Sequence, residues 1–132
     1  SAQLLKRRAL LSAKQEIISS IIEKARASVA QMSDSDYFEL LLRMIAKNAL
    51  SEAGEIRFCE TDLKRMPKDF EKDLAKALSD MPGASLTIST EPVSIDGGFV
   101  LIYGGVEENC SLHAIFYSLR DRMQDKVQAL LF

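Results

Sequence analysis

The residue types best suited to chemistry are concentrated between Ser94 and Ser111, in the sequence SIDGGFVLIYGGVEENCS. The segment holds two Gly-Gly pairs, and glycine-rich turns bring backbone amides close to a bound phosphate group. A Walker-type loop also requires Gly-Lys-Ser or Gly-Lys-Thr at a helix start, and a dinucleotide fingerprint requires G-x-G-x-x-G between a strand and a helix. The segment has neither pattern, so we expect no nucleotide or other cofactor to bind there.

Three acids of the same segment, Asp96, Glu107 and Glu108, carry the carboxylate oxygens that hard cations prefer. Their spacing does not match the regular oxygen ladder of a calcium loop. We therefore interpret them as solvated turn acids and expect no metal site. Glu107 and Glu108 are instead candidates for the edge of a protein contact.

The single histidine of the chain, His113, follows Cys110 by three residues, so the two side chains can share one helical turn. Nucleophilic catalysis by such a pair would also need an orienting acid. The alternative, which we favour, is an ordinary histidine on a helix surface, and we expect no catalytic residue. The two cysteines, Cys59 and Cys110, are too few and too far apart for a disulfide framework or a zinc site, and we expect both to be reduced.

Charge and length exclude several classes of protein. The 132 residues include 17 basic and 19 acidic side chains, for a formal net charge of −2, which gives no electrostatic reason to expect nucleic acid or an anionic membrane as the main partner. The apolar runs are shorter than the roughly 18 to 20 residues that a membrane-spanning helix requires. A soluble, cytoplasmic protein is the expectation.

Residues 2–31 contain neither Gly nor Pro and predict one long helix. Leu4, Leu11 and Ile18 recur at the seven-residue spacing of a coiled-coil seam. After Ile18 the apolar residues follow the spacing of three and four that is typical of one buried helix face. The helix is therefore expected to change its role near Ile18.

We accordingly predict that residues 1–17 are the end of a coiled-coil-like stalk helix and that residues 18–132 form a globular C-terminal head. A partner helix is expected to contact Leu4 and Leu11, with Arg7 and Arg8 beside them; a freely solvated helical extension is the alternative. Because the chain starts inside a helix and without Met, we expect it to be part of a longer protein.

The remaining periodicities predict a second helix over about residues 34–53, with Ser33 as N-cap and Gly54 as its stop. They also predict a short helical stretch, a mostly antiparallel set of strands, a Gly104-Gly105 turn with positive φ at both residues, and a last helix whose apolar ending, VQALLF, is docked. The order ααβααβββα indicates an α+β fold, in which the long N-terminal helix leads into a small globular head with a three- to four-stranded sheet flanked by helices.

Two segments resemble a known family. The sequence EIISSIIEKARASVAQMSDSDYFELLLRMI, residues 16–45, is similar to the E-subunit family of vacuolar- and archaeal-type (V/A-type) rotary ATPases, in which a long helix ends in a comparable Met-Ser-acid-Tyr-Phe step. The sequence SLTISTEPVSIDGGFVLIYG, residues 85–104, resembles the bend and the Gly-Gly-led central strand of that family. The resemblance is most specific at Ser33–Phe38 and Asp96–Gly104.

The resemblance implies a non-catalytic peripheral-stalk (stator) subunit of a proton- or sodium-translocating rotary ATPase. Such a subunit links the soluble ATPase head to the membrane sector and resists the torque of the rotor. The implied partners are the helix of a second peripheral-stalk subunit and the subunits of the soluble ATPase head. Contact with the membrane is implied only through the complex.

Two other functions remain open from the sequence. One is a stator-like regulator of a flagellar or type III export ATPase, whose C-terminal domain has a similar plan. The other is a small enzyme or ligand-binding domain that uses His113, Cys110 and the glycine-rich turn.

Overall fold

The computed structural model describes the backbone of residues 1–131 and the side chains of residues 1–130. The elements along these residues are α1 (Ala2–Ala30), α2 (Asp34–Asn48), β1 (Ala53–Arg57), α3 (Glu60–Arg65), α4 (Phe70–Ala77), β2 (Ser85–Ile88), β3 (Gly98–Tyr103), β4 (Val106–Ser111) and α5 (Leu112–Leu131). Their order is the predicted one, and the α+β fold class is confirmed. The end of VQALLF, which we expected to be docked, lies outside the described side chains.

The chain divides into two compact units, and the boundary falls near the start of α5. The sheet unit is Met32–Ala114, and the helical unit comprises Ser1–Gln31 with the chain from Ile115 onward. Inside the helical unit, the guanidinium carbon of Arg26 lies 5.5 Å from the centroid of the Phe116 ring. This distance allows a cation–π contact between α1 and α5.

The sheet has the strand order β2-β1-β3-β4. β1 runs parallel to β2, whereas β1–β3 and β3–β4 are antiparallel. The prediction of a mostly antiparallel sheet is therefore confirmed, with one parallel pair added. In the register, Ile56 of β1 lies between Ile88 of β2 and Leu101 of β3.

The core of the sheet unit lies on one face of the sheet, against α2 and α4. Strand alternation places Ile56, Phe99 and Leu101 on this face, and each is 0% exposed. Phe70 of α4 meets Phe38 of α2 edge to face, with 5.3 Å between ring centroids. Burial of each of these side chains contributes about 1.5–3 kcal/mol, so packing rather than helix propensity holds the short helix α4.

The second helix ends earlier than predicted. It stops at Asn48, and Ala49 is already extended, with φ −66° and ψ 149°. The next backbone N–H, of Leu50, donates to the hydroxyl of Tyr103 at 2.9 Å. Gly54, which we expected to stop the helix, lies in β1, where an added Cβ would come within 2.5 Å of the Tyr103 ring. Tertiary contact with Tyr103 thus overrides the local helix signal.

The tight turn between β3 and β4 lies at the predicted place. Tyr103 pairs with Val106 across Gly104-Gly105. Only Gly104 has a positive φ, +60°, so the expectation of positive angles at both glycines is wrong. A two-residue hairpin needs positive φ at both positions only in one of its two common forms.

Candidate functional site

The face of α1 predicted to meet a partner helix changes its burial along the helix. Leu4 is 46% exposed and Leu11 is half-buried, whereas Ile18 and Ile22 are each 3% exposed. All four lie on one side of α1, because residues separated by four or seven positions share a helix face. The predicted seam is therefore open at its N-terminal end and buried within the protein further along.

A second apolar stripe on α1 was not predicted as a unit from the sequence. It consists of Leu10, Ile17 and Ile21, which are 46%, 53% and 46% exposed. Each of the three immediately precedes a residue of the first face, so the stripe is rotated by about 100° from that face. The sequence contains a signal for this stripe, because Leu10, Ile17 and Ile21 are separated by seven and four residues, as Leu11, Ile18 and Ile22 are.

The basic residues predicted to accompany the seam, Arg7 and Arg8, lie on the two sides of the Leu4–Leu11 face. Arg7 and Arg8 are exposed, and so is Lys14. At about 100° per residue, Arg7 and Lys14 lie on the strip of helix surface between the Leu4–Leu11 face and the Leu10–Ile17 stripe. A surface of this kind suits a partner helix that has apolar residues flanked by acids.

Glu107 and Glu108 lie on the edge strand β4 of the sheet unit, and both are exposed. Glu107 pairs with Ile102 and Glu108 with Leu101, so the two carboxylates point to opposite faces of the sheet. The other predicted contact residues, Leu4, Arg7, Arg8 and Leu11, belong to the helical unit.

Cys110 and His113 do not have the properties of a nucleophilic pair. Burial, assisted by the charge of Glu108, raises the pKa of the Cys110 thiol to about 11, whereas a catalytic thiol needs a lowered pKa. His113 is exposed in the first turn of α5, and its backbone N–H donates to a carboxylate oxygen of Asp96 at 3.1 Å. Asp96 therefore satisfies a helix N-terminus, as does Ser111, whose hydroxyl accepts from the N–H of Ala114 at 3.1 Å.

Sequence reasoning missed the most buried polar cluster of the sheet unit, which is centred on Asp62 of α3. Asp62 is 2% exposed. Its carboxylate accepts from the Tyr37 hydroxyl at 2.6 Å and from Nε and Nη2 of Arg65 at 3.0 and 2.8 Å. The Tyr37 hydroxyl in turn accepts from the N–H of Gly98 at 2.9 Å. The cluster fastens α2, α3 and the start of β3 to one another.

Two features stabilise this cluster. Burial and the hydrogen bond to Asp62 raise the pKa of Tyr37 well above its ordinary value, so its hydroxyl remains a donor. Arg65 lies over the Tyr37 ring, 4.3 Å from its centroid, and also pairs with Asp34 at 3.1 Å. A sequence signal existed in the spacing of Asp62 and Arg65, which fits a pair on one helix face. The burial of that pair was not visible in the sequence.

No site for a metal ion is found among the described residues, where no three His, Cys, Asp or Glu side chains are grouped to hold one. A cleft of about 430 Å³ lies between α3 and the 92–96 loop, and both polar residues, such as Thr61 and Asp62, and apolar residues, such as Val93, line it. Of its charged groups, Asp62 and Arg65 are paired with each other, Glu60 pairs with Lys64, and Asp96 accepts from the N–H of His113. The exposed surfaces of α1 and β4 therefore remain as the candidate functional sites.

The sequence matches, over residues 1–132, the family described as ATP synthase (E/31 kDa) subunit. The chain belongs to this family. Membership confirms the resemblance to the E-subunit family, and with it the prediction that the chain is not an enzyme, because the E subunit is a non-catalytic component of the V-type ATPase complex.

Three relatives from Clostridium botulinum show how much of the family's length the chain represents. The E subunit of the V-type proton ATPase of strain Eklund 17B is 28% identical over 132 residues, which are 100% of this chain and 66% of the relative. The E subunit of the V-type ATP synthase of strain Hall is 30% identical over 123 residues, 92% of this chain and 62% of the relative. The E subunit of the V-type proton ATPase of strain 657 is 30% identical over 133 residues, 100% of this chain and 67% of the relative. The chain thus spans about two thirds of the length of these relatives.

The helices described here include none that is both long and apolar enough to cross a membrane.

Proposed function

We propose that this chain is part of a peripheral-stalk (stator) subunit of a V/A-type proton- or sodium-translocating rotary ATPase. It links the soluble ATPase head to the membrane sector and resists rotor torque, without performing catalysis. It lies on the cytoplasmic side and meets the membrane only through the complex. Family membership supports this role, and so does the exposed apolar surface of α1.

The exposed apolar stripe of α1 is the single observation that favours a stalk. Leu10, Ile17 and Ile21 expose roughly half of their surface along three turns of one helix. A row of large apolar side chains at this spacing normally packs against another helix. The proposed occupant is the helix of the second peripheral-stalk subunit, which also contacts Leu4 and Leu11 and pairs acids with Arg7 and Arg8.

The two predicted parts of the chain keep separate roles in this proposal. Residues 1–17 form the end of the stalk helix, and residues 18–132 form the C-terminal head. The head binds subunits of the soluble ATPase head, and Glu107 and Glu108 of the exposed strand β4 contribute to that contact. The Asp62 cluster supports a role under mechanical load, because a buried and fully paired network resists deformation of the sheet unit.

Affinity purification of the tagged protein from its own cells tests the proposal. Recovery of the second stalk subunit and of ATPase head subunits supports a stator, and the Leu10→Asp/Ile17→Asp variant should lose the second stalk subunit first. Recovery of an export ATPase instead contradicts the proposal. A rise in melting temperature with ATP and Mg²⁺ would also contradict it, because a ligand that binds the folded state raises its stability.

A further inference from the structure

The outer edge of β4 has main-chain groups directed away from the sheet. A two-residue loop makes Tyr103 and Val106 a hydrogen-bonded pair, and such pairs alternate along an antiparallel ladder. The N–H and C=O groups of Val106, Glu108 and Cys110 therefore point to β3, and those of Glu107 and Asn109 point outward. Beyond the strand end the same alternation continues, since the N–H of Leu112 donates to the carbonyl of Gly97 at 3.1 Å.

The far end of this edge is closed by a side chain. The N–H of Ser111, which also points outward, donates to Oδ1 of Asn109 at 2.9 Å. The backbone groups that stay open on the edge are those of Glu107 and Asn109. They form a short, bounded segment of two outward-facing residues.

The outer edge of β4 is accessible. Residues 106–109 are all exposed, and Val106 is 66% exposed. The strand has six consecutive pairs with β3, without a bulge or a proline, which are two of the devices that usually prevent strand addition. The opposite edge strand, β2, has only four residues and contacts α4. β4 is therefore the edge on which a further strand fits.

The charges of β4 determine which strand fits. Glu107 and Glu108 are neighbours that point to opposite faces. A second copy of this chain would bring acids against acids, which disfavours pairing of two β4 strands. An added strand with two consecutive basic residues would place one cation beside each carboxylate, because its side chains alternate in the same way.

We propose that β4 is a docking edge for an extended segment of another protein that carries a pair of adjacent basic residues and adds to the sheet as its fifth strand. The main-chain groups of Glu107 and Asn109 hold the segment, and the two glutamates select it. The proposal does not depend on the stator role, since it concerns the chemistry of the segment and not the complex that supplies it.

The test uses the whole protein and a synthetic ten-residue peptide of alternating Val and Thr with a central Lys-Arg pair. NMR chemical-shift changes should follow residues 106–110, and the same peptide with central Glu-Glu should bind at least about tenfold more weakly. Glu107→Pro removes one outward N–H and leaves the β3 ladder intact, so peptide affinity should fall about tenfold or more. The matched variant Glu107→Gln keeps the N–H and should lose less of the peptide affinity.

A charge reversal keeps the test decisive if Glu107→Pro disturbs the fold. Glu107→Lys/Glu108→Lys should reject the basic peptide and bind the Glu-Glu peptide. Equal binding of both peptides, shift changes away from β4, or unchanged affinity in the reversed variant would overturn the proposal. Dimerisation of the protein through β4 would overturn it as well. Each of these results leaves the stator role to its own purification test.

Discussion

The hydroxyl of Tyr37 accepts a hydrogen bond from the backbone N–H of Gly98, with 2.9 Å between the two atoms. This contact joins Ser33–Phe38 to Asp96–Gly104, the two segments in which the resemblance to the E-subunit family is most specific. They are far apart in the sequence and form one joint in the structure. Asp62 and Arg65 complete the joint. We expect its loss to lower the stability of the whole sheet unit.

Removal of the Tyr37 hydroxyl tests this joint. Tyr37→Phe leaves the N–H of Gly98 and one oxygen of Asp62 without their partner in a buried place, so the free energy of unfolding should fall by about 2–3 kcal/mol. Urea denaturation followed by circular dichroism measures the change. Tyr117→Phe is the control, because Tyr117 is 69% exposed, and should change the same quantity by less than about 0.5 kcal/mol. Equal effects of the two changes would show that the joint is not buried.

Arg65 is expected to matter far more than its neighbour Lys64. Arg65→Ala leaves the buried carboxylate of Asp62 without its charged partner and removes the contact with the Tyr37 ring, so we expect a loss of about 2 kcal/mol after allowance for the exposed part of Arg65. Lys64→Ala removes only an exposed pair with Glu60, 3.2 Å apart, and should cost less than about 0.5 kcal/mol. Thermal melts of the two variants measure the difference. An equal loss of stability in Lys64→Ala would refute it.

The two glycine pairs should respond differently to alanine. Gly98 has φ +77°, and an added Cβ would collide with the carbonyl oxygen of Cys110, so Gly98→Ala should destabilise the protein by at least about 2 kcal/mol. A Cβ on Gly105 meets nothing within 4 Å, and Gly105→Ala should be neutral or stabilising by up to about 1 kcal/mol. Chemical denaturation distinguishes the two, and a tolerated Gly98→Ala would argue against the close approach of β3 and β4.

The raised pKa of Cys110 predicts both its reactivity and a pH dependence. Because its thiol has a pKa of about 11 when folded, against about 8.5 in an unfolded chain, the unfolded state loses this proton first as pH rises. The stability that the buried neutral thiol contributes is therefore complete below about pH 8.5 and is lost as pH rises toward 11. Urea titrations across this pH range should show a smaller decline in Cys110→Ala.

Alkylation provides an independent check on the same thiol. At about pH 8, iodoacetamide should label Cys59, which is half-buried, faster than the buried Cys110. Peptide mass mapping of the labelled protein measures the two rates. Preferential labelling of Cys110 would instead support the nucleophilic pair with His113.

Periodicity in the sequence predicted the order of elements and the buried faces, because these features depend on local spacing. Ile18 and Ile22 are buried as the spacing of α1 indicated, whereas Ile21, expected on the same buried face, is 46% exposed. Phe99 and Leu101 lie in the core as expected for a central strand. The early end of α2 was not predictable, since it depends on the Tyr103 hydroxyl, which is distant in the sequence.

The polar features were harder to predict for the same reason. Asp62 looks like a surface acid of a short helix, and only the tertiary structure places Tyr37 against it. The acids Glu107 and Glu108 were recognised as a candidate contact, but the outward main-chain groups of β4 follow from the register of the hairpin. The second stripe of α1 was visible as spacing and could be recognised as a docking surface only when its exposure was known.

The central claim, that α1 pairs with a second stalk helix, is tested most directly by the affinity of the purified protein for the second peripheral-stalk subunit, measured by isothermal titration calorimetry. Leu10→Asp and Ile17→Asp should each weaken the complex by about tenfold or more, because each places a charge in an apolar contact. Ser12→Asp adds the same charge on another face of α1 and should change the affinity by less than about threefold. Equal affinities for all three variants and the original protein would contradict the pairing.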